Sequence, residues 1–167
     1  RAQVWNLDIP FKVTRMFGER PDAVKLRSSE GHVFEVDHEA ATLSRVIGSM
    51  VADVDTSEEI PLPNVKTATL SKVIDYCQYH KDSPAAEIPK PLRSTDLLEC
   101  GVSEWDSEYI CQLEQEALFE LILAANYLDL ESLLDLSCAR VASMIKGKNT
   151  EEIRKQFCIV NDFTPEE

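Results

Sequence analysis

The closest approach to a nucleophile beside a base in this chain is Cys77 and His80, three residues apart. A thiol attacks only as its thiolate, which requires a polar or cationic setting that lowers its pKa. Cys77 instead shares an apolar stripe with Leu70, Val73 and Ile74 at helical spacing, so no such setting is expected. His32 and His38 flank a strand-like segment and have no partner at a telling spacing. Metal binding has no better support. The three histidines and the five cysteines (Cys77, Cys100, Cys111, Cys138 and Cys158) lack any ligand spacing. There is no GxSxG, no phosphate loop and no HExxH. The sequence therefore predicts no catalytic residue, no metal and no cofactor. What it does contain is polar groups set into apolar helix, above all Asn126 and Tyr127 near the end of the run Leu118 to Asp129, LFELILAANYLD. Such groups need polar partners if buried, and Tyr is favoured at interface hot spots. On the residues alone, a helix cap plus one core ring and a binding surface both stand.

Composition narrows the class. A chain of 167 residues is most simply one domain, able to bury roughly two-thirds of its unfolded surface. Seventeen Lys and Arg face thirty Asp and Glu, a net charge of −13. That balance argues against a phosphate-tracking nucleic-acid surface and against anionic membrane, and suits a basic protein partner. An odd number of cysteines without close spacing, and no secretory apolar segment, favours reduced thiols in the cytosol or nucleus. Cys77 and Cys138 are expected as core filler.

The elements that must position these residues follow in order. Residues 1–23 lack an initiator Met; Arg1, Lys12, Arg15 and Arg20 outnumber Asp8, Glu19 and Asp22 by one, against the acidic remainder. The segment is expected as a poorly ordered extension of unknown origin, with a strand-like alternation at Trp5, Leu7, Ile9 and Phe11. From Val24, alternation to Leu26, turn residues Ser28 to Gly31 and a second run from His32 to Val36 predict a hairpin. Asp37 is a helix-cap candidate for a turn through Ala41, and Ser44 for a helix carrying Val46, Ile47, Met50 and Val51. An acidic loop follows over 53–59. Ile60-Pro61-Leu62-Pro63 must be extended, and Pro in a strand belongs on an edge. Thr67 to Lys81 predicts an amphipathic helix, and Asp82 to Val102, with three prolines, a long mobile loop. Ser103 to Asp106 has the form of a capping box.

Glu116 to Leu128 predicts the central helix, apolar almost all round and so expected to be buried on more than one side. Leu130 to Ile145 predicts another, stopped at Gly147, and Asn149 to Glu152 starts one more, to about Phe157. Thr164-Pro165-Glu166-Glu167 is a helix start with no helix after it, read here as a truncated C-terminal helix.

Several of these stretches resemble the Skp family, the adaptor subunits of SCF (Skp–cullin–F-box) ubiquitin ligases: KLRSSEGHVFEVD (Lys25 to Asp37), IPLPNV (Ile60 to Val65), VIDYCQYHK (Val73 to Lys81), LFELILAANYLD, SLLDLSC (Ser132 to Cys138), MIKGK (Met144 to Lys148) and TEEIRKQFCIVNDFT (Thr150 to Thr164). The similarity runs in order from about residue 24 to 167. It implies an α/β fold of the BTB/POZ type, a small sheet with surrounding helices, over 24–130, then F-box-clasping helices over 131–167. It further implies a non-catalytic adaptor role in protein ubiquitination, with an F-box protein and a cullin N-terminal domain as partners, and a homodimer as an option when free.

By the same resemblance Asn126 and Tyr127 face the cullin, joined by Ile47 and Met50. The F-box side takes Leu134, Val141, Met144, Ile145, Phe157, Ile159, Asn161 and Phe163. Those apolar residues outnumber what one face of each helix can bury, and an exposed apolar groove implies a helical partner; the alternative is that they pack on one another. The extension 1–23 and the Pro-rich loop depart from the family pattern, and the missing last helix puts F-box grip in question. Similarity to protist relatives makes Pro165 a candidate for hydroxylation and glycosylation, against a plain helix-start proline. Two rival readings share the fold: a self-associating BTB module, or an elongin-C-like adaptor for another receptor class. The two helices after Asp129 are what separates the Skp-like reading from the latter.

Overall fold

The computed structural model describes residues 23–53 and 58–160. The expectations for 1–22, for most of the acidic loop, and for Asn161, Phe163 and Pro165 fall outside them.

The hairpin forms as its alternation predicts. Strand β1 (Ala23–Arg27) pairs antiparallel with β2 (Val33–Asp37), Leu26 opposite Phe34. Gly31 sits in the turn at φ +85°, a conformation that favours glycine. Alternation also sets the faces: Val24, Leu26 and Val36 point inward and are at most 3% exposed. β2 leads into a single helical turn, α1 (His38–Ala41), and then α2 (Arg45–Asp53). Asp37 does not cap α1; its carboxylate accepts from Lys81 Nζ at 2.8 Å. Strand β3 (Glu59–Pro61) adds parallel to β1, giving the order β2-β1-β3. Pro61 is therefore on an edge, where its missing N–H disturbs no ladder.

Helices make up the rest: α3 (Thr67–His80), α4 (Glu104–Cys111), α5 (Gln115–Tyr127), α6 (Glu131–Ile145) and α7 (Thr150–Gln156). Helix α5 packs against both α3 and α6. One core joins the inner face of the sheet (Leu26, Val36, Ile60) to Leu70, Val73 and Tyr76 of α3, Leu118, Leu121 and Ala125 of α5, and Leu133 and Leu136 of α6. The turn from α5 to α6 is a Schellman motif. Leu130 N–H donates to Ala125 O at 2.9 Å and Asp129 N–H to Asn126 O at 3.2 Å, with Asp129 at φ +51°.

Residues 82–102 are mostly irregular, as expected, but they are pinned rather than loose. Ile88, Leu97, Cys100 and Val102 are buried, and a 3-10 turn spans Leu98–Cys100. Lys90 Nζ reaches Asp135 Oδ1 at 2.7 Å, and Lys146 Nζ donates to Leu92 O at 2.7 Å, so the segment straps one flank of α6.

Candidate functional site

Helix α5 is not buried on every side. Leu118, Leu121, Ala124 and Ala125 face the core, but Phe119 is 39% exposed and Leu123 69%. Burial on more than one side holds, since α3 and α6 both pack on the helix, but among the described residues one stripe is left largely uncovered. That stripe runs through Phe119 and Leu123 at helical spacing and gives way to a polar end at Asn126. Its marker was present in the sequence: the polar residues Glu116, Glu120 and Asn126 border or lie on it. Phe119 and Leu123 are thus the functional candidates that sequence reasoning missed, since two apolar residues read as core unless a polar neighbour shows where solvent begins.

The stripe continues beyond α5. Phe157, just past α7, brings its ring to 6.0 Å from that of Phe119. Ile145 at the end of α6 is 37% exposed, Ile159 53% and Val160 82%. Leu134, Val141 and Met144 are partly buried against the core. Helix α7 is local in origin. Asn149 Oδ1 accepts from Glu152 N–H at 2.9 Å while Glu152 Oε2 accepts from Asn149 N–H at 3.0 Å, a complete capping box. Yet α7 buries no residue of its own. A short helix with no buried face gains little from tertiary packing, and among the described residues Phe119, Leu123, Ile145, Ile159 and Val160 are left exposed.

A second surface forms at the other end of α5. Asn126 is exposed and Tyr127 half-buried. Ser44 brings α2 to them: its hydroxyl donates to Leu128 O at 2.5 Å and accepts from Ile47 N–H at 3.1 Å, capping α2 as its residue type predicts. Arg45 then reaches Asp129 at 3.6 Å and Glu131 at 3.2 Å. Met50 is half-buried against the core. Ile47 is 2% exposed and belongs to the core, so its assignment to a partner-facing surface is withdrawn. Helical spacing alone does not say which apolar face of α2 turns inward.

The residues considered for catalysis are accounted for otherwise. Burial pushes the Cys77 thiol up to about 12, leaving it protonated at neutral pH. Both ring nitrogens of His80 are engaged, by Ser83 O and Asp106. Among the described residues no group of three or more His, Cys, Asp or Glu is placed to hold a metal. Cys138, expected as core filler, is exposed on the flank of α6 turned away from the core. An open groove of about 910 Å³ lies between residues 85–90, the start of α2 and the start of α6. Its cations, Arg45 and Lys90, are already paired with Asp129, Glu131 and Asp135. At the opposite end of α3, hydrogen bonds from Lys66 and then Thr69 hold the Glu120 carboxyl below the usual range. The bond from Glu120 raises Lys66 in turn. This exposed pair ties the start of α3 to α5.

Similarity to known proteins agrees with this layout. Residues 22–82 match the family model described as Skp1 family, tetramerisation domain, and residues 131–167 the one described as Skp1 family, dimerisation domain. The second match begins where α6 begins. Among similar proteins is the S-phase kinase-associated protein 1 homolog of Tetrahymena thermophila, 51% identical over 144 residues, which are 86% of this chain and 86% of that one. The SCF ubiquitin ligase complex protein SKP1a of Dictyostelium discoideum is 48% identical over 147 residues, 86% of this chain and 88% of the relative. The E3 ubiquitin ligase complex SCF subunit sconC of Arthroderma otae is 46% identical over 149 residues, 86% and 87%. The sheet capped by helices, the added α6 and α7, and these matches over both parts lead to one conclusion: the chain belongs to the Skp1 family.

Proposed function

We propose that this chain is the non-catalytic adaptor of an SCF-type ubiquitin ligase, bridging a cullin scaffold to F-box substrate receptors. The observation that carries the reading is the open apolar surface: Phe119 and Leu123 on α5, Ile145 on α6, and Ile159 and Val160 after α7. Exposed apolar side chains on helices are what a partner helix covers. The F-box is assigned to this surface. The cullin N-terminal domain is assigned to the end of α5, through Asn126 and Tyr127, with the start of α2, anchored by Ser44 to Leu128, beside them, and Met50 of α2 added by the family resemblance. The relatives' names as SCF subunits support the two classes of partner.

The mechanism is positional. No residue is asked to do chemistry; the folded core holds one partner at the apolar surface and another at the end of α5. Fixing receptor and scaffold in one frame raises the effective concentration of substrate at the ubiquitin-transfer machinery. The thiol usage fits a cytoplasmic and nuclear protein. The test is a two-partner binding assay, with a purified F-box segment and a cullin N-terminal domain. Binding of both at once supports the adaptor reading. Failure to bind an F-box, with binding of a SOCS-type box instead, overturns it in favour of an elongin-C-like role.

A further inference from the structure

Two carboxylates border the open stripe of α5. Glu116 stands three residues before Phe119 and Glu120 three before Leu123, so each is a surface neighbour of an exposed apolar side chain. A partner helix that covers the stripe must draw water away from this border. An unpaired carboxylate resists, because it loses hydration and receives nothing in exchange. Glu120 is not unpaired. Its Oε1 accepts from Lys66 Nζ at 2.5 Å and its Oε2 from the Thr69 hydroxyl at 3.0 Å. Both donors come from the start of α3. Thr69 is buried, which fixes its hydroxyl in place. Lys66 also feels Glu116 and Glu30, though less than Glu120, so it is the cation set among three acids. Lys72 lines the same shallow hollow as Glu114, Glu116 and Glu120, but the Glu120 oxygens bond to Lys66 and Thr69 instead.

We propose that Lys66 and Thr69 are positioning residues for the partner helix: by holding the Glu120 carboxylate against α3, they keep its charge satisfied and let an apolar helix close over Leu123. This role rests on the assignment of an F-box helix to the stripe. Neither residue has to touch the partner, since each acts through Glu120. In the free chain the Lys66 side chain is 61% exposed and that of Glu120 30%, and exposed ion pairs add little to folding. The same attraction strengthens when a partner displaces the surrounding water. Losing it therefore leaves the fold nearly unchanged but makes the covered state pay the full cost of stripping a lone carboxylate. The signature is a binding defect without a matching stability defect.

The test compares five full-length chains: wild type, Lys66→Gln, Lys66→Gln with Thr69→Val, and each of these two variants with Glu120→Gln added. Calorimetric titration with a purified F-box segment, and separately with a cullin N-terminal domain, is paired with denaturant unfolding. Lys66→Gln should weaken F-box binding several-fold, and Lys66→Gln with Thr69→Val further. Cullin binding should stay at the wild-type level, as should the unfolding midpoint of Lys66→Gln. Adding Glu120→Gln removes the charge that has to be satisfied, and should bring F-box affinity back toward wild type. Unchanged F-box affinity in Lys66→Gln and in the double variant overturns the proposal. So does a loss that Glu120→Gln fails to restore, which would place the effect in the fold rather than in the carboxylate. Should the buried Thr69→Val change unfold the chain, Lys66→Gln with and without Glu120→Gln decides by itself, because Lys66 is exposed. A wild type that binds no F-box segment overturns the surface assignment and this role together; a wild type that binds, beside variants that bind equally well, overturns this role alone.

Discussion

Leu123 and Leu121 lie two residues apart on α5 and should respond oppositely to substitution. Leu123 is 69% exposed and Leu121 1%. In the free chain Leu123→Ala removes little buried area and should change stability by no more than about 0.5 kcal/mol. On an F-box complex the same side chain is covered. Full burial of a leucine contributes about 1.5–3 kcal/mol; with roughly two-thirds of it still open, about 1–2 kcal/mol is left for the partner. That corresponds to a dissociation constant weakened by about five- to thirty-fold. Leu123→Lys should weaken it further, because a charge must then be desolvated without a partner. Leu121→Ala should instead destabilise the fold itself by about 2–5 kcal/mol. Calorimetric titration with an F-box segment, paired with denaturant unfolding, measures both quantities. Unchanged F-box affinity in Leu123→Lys, with the fold intact, would refute the assignment of the apolar stripe. A collapse of stability in Leu123→Ala would refute its description as open surface.

Other expectations concern the opposite end of the molecule and its thiols. Asn126→Lys combined with Tyr127→Lys should abolish cullin binding and leave F-box binding intact in the same pull-down; joint loss would indicate a folding defect instead. Ser44→Ala removes both the cap on α2 and the buried bond to Leu128 O, and should cost about 1–3 kcal/mol in denaturant unfolding. It should also weaken cullin binding more than F-box binding. Thiol labelling near neutral pH should modify the exposed Cys111, Cys138 and Cys158 and spare Cys77. Burial lets Cys77 keep its proton in the fold up to about 12, against 9.0 for an ordinary thiol. The folded state therefore holds the extra proton, and stability should decline as pH rises between those values, less steeply in Cys77→Ala.

Much of the architecture was legible because local signals agree with global ones. The hairpin follows from alternation about Ser28 to Gly31, and α3, α5 and α6 from apolar spacing within a residue or so of their ends. The caps at Ser44, Ser103 and Asn149 were readable from residue type, since each acts on a backbone N–H three residues on. Their longer-range duties were not. Ser103 was expected to open a capping box with Asp106. The hydroxyl does cap, but the Asp106 carboxylate accepts from that hydroxyl and joins His80. For Ile47, Cys138 and the outer stripe of α5, periodicity located the apolar residues without saying which neighbour would cover them. The strap over 82–102 was read as loose because prolines forbid regular structure; Ile88 and Leu97 nonetheless bury themselves in irregular backbone.

The amino-acid order alone determined the element boundaries, the family pattern and the absence of ligand or nucleophile spacings. These depend on residues within a turn or two of one another, where backbone sterics and side-chain direction act without help from the rest of the chain. Tertiary structure decided what lies open and what is tied together. It set Glu30 from the hairpin turn against Thr67 N–H at the head of α3, 2.9 Å away, Ser44 against the end of α5, and His80 against Asp106. It also left Phe119 and Leu123 facing solvent. Burial is a property of the packed whole, because a side chain is hidden only if another element arrives to hide it.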